Sequence, residues 1–531
     1  MSEEESINLN EVTPEEIRTL LSSDEEQNRE DGLDKFVELA RQQMTPKGFR
    51  EHLYPVLAFM AHDEDTDLLI PTVLASIKSI PGVGAVLSDD GSVFLKLLSE
   101  VIGDIGLPAA IRREALRFLV DVYCADIAAH DAPECYFYRT RLFPILAAVA
   151  AAATTSSARS EGGSGSSGDD NDDDDETSVR KEVPGLVARS VACVAATMPS
   201  VIGDLALPLL RGLSSSAAFE VRNEVACALP VILEAATKTN NEKDKESDGK
   251  GLKENEAVAT GCEMFLELCR DRVWNVRRAC AEGMVRVAGC APQSFVVEEL
   301  AGVVRRYLNS EEEDVRWVYV AMYRGLGEFL CLIERAEDVP ADLLTRFLAM
   351  ADVDYAQRVG DSDLRLFCAY SFPGVLMKVC RADPGAWEER FRTTYGALAE
   401  DLQYKVRRSL ACSIHEVAAL VPPGALAATF NALAHDIDQV RFGCLPNLAR
   451  FLGCFEDPAR RKPFLVLLDE CLEDDNWRTR KYVARQIGDL VGLFPGEEYE
   501  QTVRHIHEVF FELSADPVAK VRHYAALSVN K

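Results

Sequence analysis

One short phrase returns along this 531-residue chain. It is Val-Arg, or a close variant, followed by an apolar stripe at helical spacing and often preceded by Asp. Its arginines are Arg112, Arg180, Arg222, Arg277, Arg316, Arg365, Arg407, Arg441, Arg480 and Arg522, and from Arg277 onward they stand 39, 49, 42, 34, 39 and 42 residues apart. A period near 40 is that of paired-helix repeats, whose units bury their apolar faces by stacking on one another. The expected fold class is therefore all-α, an α-solenoid of about twelve HEAT/armadillo-like helix-pair repeats. It is expected as one body over residues 14–531, behind an acidic N-terminal tail at 1–13.

Two early intervals are longer because polar segments are inserted. Between Arg112 and Arg180, residues 154–177 are rich in Ser, Gly and Asp and contain an acidic run from Asp169 to Glu176; between Arg222 and Arg277, residues 238–256 are mostly Lys, Glu, Asn and Asp. Neither can bury enough apolar surface to offset the entropy of ordering, so both are expected as disordered loops.

Within a unit, segments such as 207–213, 265–269, 465–472 and 503–513 have the apolar spacing of a first helix. The second helix opens at the Val-Arg: Val406, Leu410 and Ile414 repeat at four, and Ala411 allows close helix approach. Prolines such as Pro199, Pro230, Pro292, Pro422 and Pro495 are expected mostly near second-helix ends. Asp stands six residues before the arginine in Asp271/Arg277, Asp401/Arg407, Asp474/Arg480 and Asp516/Arg522. Across a turn, such an Asp can cap the second helix while the Arg reaches the equivalent Asp of the next repeat. The expected ladder comprises Asp271, Arg277, Arg316, Asp401, Arg407, Arg441, Asp474, Arg480, Asp516 and Arg522. A catalytic pair is needed once, whereas a pair in unit after unit holds register.

Trp274, Trp317, Tyr404, Lys405, Trp477 and Arg478 fall at the turns, which line up along one edge of a stack. They are the expected partner contacts, the alternative being that each indole packs over its own turn. Among catalytic patterns there is no phosphate loop, nucleophile elbow or His-Glu-x-x-His. Deoxyhypusine hydroxylases are HEAT-type proteins that hold iron with symmetric His-Glu pairs. Here His415-Glu416 and His507-Glu508 sit at non-equivalent repeat positions, so no metal and no cofactor is expected, and no enzyme activity.

Lys and Arg number 57 and Asp and Glu 87, giving a net charge of −30. Coulomb repulsion opposes nucleic acid and anionic membranes, so neither is an expected partner, and basic or weakly acidic protein segments are. Eight acidic residues lie between Glu161 and Glu176, and without them the chain still carries −22, so the charge belongs mainly to the repeats. Fifteen cysteines without a Cys-x-x-Cys pair are expected as reduced thiols. The acidic start, Met1 to Glu5, has no apolar run, so no signal or transit peptide is expected, and the longest apolar run, 142–153, is too short for a membrane span. The expected location is cytoplasmic, nuclear or both.

Several longer phrases are more specific than the repeat. They are Asp271-Arg-Val-Trp-Asn-Val-Arg-Arg-Ala-Cys-Ala-Glu-Gly, Phe367-Cys-Ala-Tyr-Ser-Phe-Pro-Gly-Val, Tyr404-Lys-Val-Arg-Arg-Ser-Leu-Ala-Cys-Ser-Ile-His-Glu, Asp436-Ile-Asp-Gln-Val-Arg and Asn476-Trp-Arg-Thr-Arg. In sequence and order these resemble the regulatory subunit 1 family of serine/threonine protein phosphatase 4, over about 261–522. The resemblance implies a non-catalytic HEAT-repeat subunit that binds the catalytic subunit of a type 2A-like phosphatase and directs it to phosphoprotein substrates. Members of the family are longer, so a short member or a piece of one is expected. An importin-β-like transport receptor, also acidic and HEAT-built, is the alternative, followed by the iron hydroxylase.

Overall fold

The computed structural model describes residues 13–23, 25–61, 69–78, 80–88, 93–103, scattered positions between 107 and 196, 201–244, 256–309 and 316–528. The tail before residue 13, the loop at 154–177 and Arg180 lie outside the described residues. Every regular element among the described residues is helical. The chain divides into two compact units, Met1–Ala291 and Pro292–Lys531.

In the first unit, α1 (Pro14–Leu21) packs on α2 (Glu26–Gln43), followed by α3 (Tyr54–Met60), α4 (Ile70–Ile77) and α5 (Val93–Gly103). The local chemistry of the start is plain: the Thr13 hydroxyl accepts the Glu16 amide at 3.3 Å, and Pro14 opens the first turn. Later come α6 (Leu207–Ser214), α7 (Phe219–Asp244), α8 (Glu256–Leu268) and α9 (Trp274–Cys290). Val276, Cys280, Met284 and Val287 form the buried stripe of α9, which packs along α7. Helix α7 runs to Asp244, into the polar stretch read as a loop from 238; positions 245–255 lie outside the described residues. Pro230 is inside α7 rather than near its end, and Gly283 on α9 leaves room for its ring, since a Cβ there would lie 2.8 Å from Pro230 Cγ. Pro292, Pro422 and Pro495 do follow helix ends, and Pro199 lies outside the described residues.

The second unit comprises α10 (Ala301–Leu308), α11 (Arg316–Leu332), α12 (Ala341–Ala349), α13 (Leu364–Cys380), α14 (Arg392–Ala399), α15 (Tyr404–Ala418) and α16 (Ala427–Ala434). After them come α17 (Asp438–Cys444), α18 (Leu448–Gly453), α19 (Val466–Leu472), α20 (Trp477–Ala484), α21 (Ile487–Gly492), α22 (Glu500–Ser514) and α23 (Ala519–Ser528). Helices α11, α13, α15 and α17 pack side by side in sequence, the stacking of second helices that the repeat period implies.

One second helix is broken at Pro446, between α17 and α18, and the next at Gln486, between α20 and α21. The two breaks serve one another. Gln486 is 5% exposed; its amide donates to the Leu445 carbonyl at 2.7 Å and accepts from the Ala449 amide at 2.9 Å. Arg461, 8% exposed, donates to the carbonyls of Leu452 and Phe455, both at 3.1 Å, and to that of Leu493. The orphan carbonyls at second-helix ends thus find a cation.

Among the described residues, four first helices begin with a five-residue π-helical turn. In the first unit these are Phe49–Leu53 before α3 and Ile202–Ala206 before α6; in the second, Val296–Leu300 before α10 and Trp387–Phe391 before α14. The first and fifth residues of each are buried. The wide turn carries one extra residue and keeps both ends on the core.

Candidate partner-binding face

The turns between first and second helices are built by a recurring aspartate with three duties. In the first unit, Asp271 takes the Arg222 guanidinium on both carboxylate oxygens at 2.6 and 3.0 Å, accepts the Val273 amide at 2.8 Å, and offers its carbonyl to Arg277 at 2.6 Å. In the second unit Asp401 holds Arg365 and the Gln403 amide, and its carbonyl receives Arg407 at 2.7 Å. Arg407 then reaches Asp436 at 2.6 and 2.9 Å, Arg441 reaches Asp474 at 2.5 Å, and Arg480 reaches Asp516 at 2.5 and 3.3 Å. Arg480 and Arg522 each donate to the carbonyl of the aspartate six residues back, at 2.6 Å.

The aspartates differ from helix caps in one respect. The amide they accept is that of Val273 before α9, Gln403 before α15 and Asn476 before α20, each itself the N-cap residue. The carboxylate bends the turn ahead of the helix and leaves its orphan amides to others, as Asn476 does for Arg478 at 3.1 Å. Arg316 departs further. It lies 3.5 Å from the Gly360 carbonyl, while Arg324, two turns along α11, takes Asp361 at 2.8 Å. The Arg407 guanidinium beside Asp436 holds that carboxylate below its ordinary range. At Asp271 burial pushes upward, and the Arg222 guanidinium and Val273 amide together push further down.

In the first unit Trp274 is half-buried and lines a groove of about 540 Å³ with Phe219, Glu224, Cys227 and Glu282. Burial raises the pKa of Glu224 despite Arg189 at 3.0 Å. In the second unit Trp317 is 57% exposed. Tyr404 and Lys405 are exposed at the start of α15, and two apolar neighbours that the sequence reading passed over stand with them: Leu402, 96% exposed, and Ile437, 48% exposed. Each directly follows a ladder aspartate, Asp401 or Asp436, and an apolar residue at that turn position was the available signal. Exposed apolar side chains beside Arg407 and Asp436 form the kind of patch that partners cover.

Trp477 is half-buried amid cations: the Arg478 guanidinium lies 4.9 Å from its ring centre, the Lys481 ammonium 5.5 Å and the Lys520 ammonium 5.6 Å. Neither lysine was singled out from sequence. Of the two His-Glu pairs, His415 is half-buried on α15 and His507 exposed on α22. No group of three or more metal-ligating side chains occurs among the described residues, nor any helix long and apolar enough to cross a membrane.

No family model matches the chain. The regulatory subunits 1 of serine/threonine-protein phosphatase 4 from Homo sapiens and Mus musculus are each 38% identical to it over 192 residues, which is 35% of this chain and 19% of the relative. The match thus spans about a fifth of those relatives' length, and they are regulatory subunits by name. Among solved structures, yeast importin-β (Kap95p) aligns over 97% of this chain and 61% of its own with a TM-score of 0.58 at 13% identity. That likeness concerns the fold alone: an all-α stack of helix-pair repeats.

Proposed function

We propose that this chain is a non-catalytic regulatory or scaffold subunit that binds the catalytic subunit of a type 2A-like serine/threonine phosphatase, protein phosphatase 4, and directs it to phosphoprotein substrates. The 38% identity over 192 residues to subunits of that name carries the reading. The mechanism is positional. One stretch of the turn ridge holds the phosphatase, another holds the phosphoprotein, and the substrate's effective concentration rises without any chemistry by the scaffold. The patch at Leu402, Tyr404, Lys405 and Ile437 is the proposed phosphatase contact, and Trp274, Trp317, Trp477 and Arg478 are further partner contacts. Arg–Asp rungs hold neighbouring repeats in register within each unit, Arg222–Asp271 in the first and Arg365–Asp401 through Arg480–Asp516 in the second. With a net charge of −30 the surface favours basic or weakly acidic partner segments, and the chain works in the cytoplasm, the nucleus or both.

Affinity capture of the full chain from a cell extract, read by mass spectrometry, tests this reading. The expected result is a phosphatase catalytic subunit retained by the parent chain and depleted when Leu402 and Ile437 are both changed to Asp. Capture without any phosphatase catalytic subunit sinks the reading, and a Ran-type GTPase in its place favours a transport receptor.

A further inference from the structure

The Trp477 cluster runs against the charge of the molecule. In a chain of net charge −30, three cations from two successive turns, Arg478 and Lys481 on α20 and Lys520 on α23, converge on one indole. Arg485, directly after the end of α20, is exposed, as are Arg478 and Lys520. Around these turns Asp438 is engaged by Arg441 at 2.6 Å and by Asn476 at 2.7 Å, Asp474 by Arg441 and Asp516 by Arg480, while Glu473 and Asp475 are exposed. Like charges gathered at one aromatic surface repel, and an anion placed among them relieves that repulsion. Burial lowers the Lys481 pKa first, and Arg478, Lys520 and Arg485 lower it further.

We infer that this cluster is a docking site for a phosphorylated segment of a partner protein, with the phosphate among Arg478, Lys481 and Lys520 and an adjacent apolar side chain on Trp477. A phosphomonoester near neutral pH carries about −1.5 to −2 charges on one small group, which suits a patch the size of one indole and its rim. An extended polyanion such as RNA suits it less, because a chain of net charge −30 repels the rest of the strand. The choice of a phosphoprotein as occupant rests on the regulatory-subunit reading above, whereas the cation cluster stands on geometry.

The test is binding of a short fluorescent peptide bearing one phosphoserine to the full chain, with the unphosphorylated peptide and a single-stranded RNA as comparisons. The expected result is saturable binding that needs the phosphate and weakens with added salt. Lys520→Glu, an exposed change, and Lys481→Gln are each expected to weaken it about tenfold, the scale of a lost charge-assisted contact. Equal affinity for the unphosphorylated peptide, unchanged affinity in both variants, or tighter binding of the RNA would each overturn the inference. A chain that captures the phosphatase yet ignores the phosphopeptide sinks this site alone. One that binds the phosphopeptide without any phosphatase sinks the regulatory-subunit reading alone.

Discussion

Gln486 stands in for a backbone hydrogen bond that Ala449 has lost. In an unbroken helix the Ala449 amide would pair with the Leu445 carbonyl; the tight turn Leu445–Asn447 gives that carbonyl to the Leu448 amide instead, and the Gln486 amide bridges the two, donating to the Leu445 carbonyl and accepting from the Ala449 amide. Gln486→Leu keeps the bulk and strands the Ala449 amide in the core, while the Leu445 carbonyl keeps the Leu448 amide, at a cost of about 1–3 kcal/mol. Urea unfolding followed by circular dichroism is expected to show a midpoint well below the parent's, and an unchanged midpoint would show that the bridge contributes nothing.

The Arg365–Asp401 pair is the most buried rung among those described, each residue 7% exposed. Arg365→Met leaves the Asp401 carboxylate in place without its cation and is expected to destabilise by about 3–5 kcal/mol. Adding Asp401→Asn removes the stranded charge and is expected to recover part of the loss. If the double variant is no more stable than the single, charge pairing is not what the rung supplies.

Acid should unlatch the ladder. Asp436 is held below its ordinary range first by the Arg407 guanidinium; at Asp516 burial pushes upward, and the Arg480 guanidinium and Val518 amide push further down. A carboxylate with a depressed native pKa contributes stability that is fully present above its unfolded value, about 4, and is lost as pH falls through the folded value. The thermal midpoint is expected to hold from about pH 7 to about pH 5 and to drop below about pH 4. In Asp436→Asn that acid limb should be shallower, and an identical limb would contradict the assignment.

Gly327 sits where α11 meets α13. A Cβ there would overlap the Ser371 Cβ and come within 2.8 Å of the Phe347 ring. Gly327→Ala is expected to cost about 1–3 kcal/mol, measured by the same urea titration. Gly302, on the open side of α10, has nothing within 4 Å of the place an added methyl would take, so Gly302→Ala should be near neutral.

Thiol reactivity should divide along burial. Burial raises the pKa of all four of Cys227, Cys280, Cys368 and Cys412, but Cys280 and Cys368 are closed off from solvent whereas Cys227 and Cys412 face outward on α7 and α15. Mass-spectrometric labelling of the native chain with a maleimide is expected to modify Cys227 and Cys412 ahead of Cys280 and Cys368. Early modification of Cys280 would mean that α9 opens far more readily than its packing allows.

The recurrence of Arg and Asp was legible because one geometric demand returns about every 40 residues, and Val406, Leu410 and Ile414 read as a core stripe for the same reason. Which partner each rung takes was less so. Asp436 stands five residues before Arg441 rather than six, and in α11 the carboxylate partner is Arg324 rather than Arg316. The turn position of Trp477 could be read, but Lys520 joins it only through the packing of α20 on α23, which no local pattern encodes. Gln486 and Arg461 were unreadable for a related cause. A buried polar side chain answers a backbone defect in another segment, and the defect appears only once the helices are laid together.

The π-helical turns ahead of α3, α6, α10 and α14 give the repeats a slack link. A wide turn is what a helix becomes when it absorbs one surplus residue while the flanking side chains keep their facing. Phe49 and Leu53, or Trp387 and Phe391, stay seated on either side of the surplus. Trimming one residue from such a turn would tighten it to an ordinary helical turn, with the helix beyond still meshed. Repeat length in this chain can therefore drift by single residues over evolutionary time at defined points, without re-cutting the teeth by which neighbouring repeats engage.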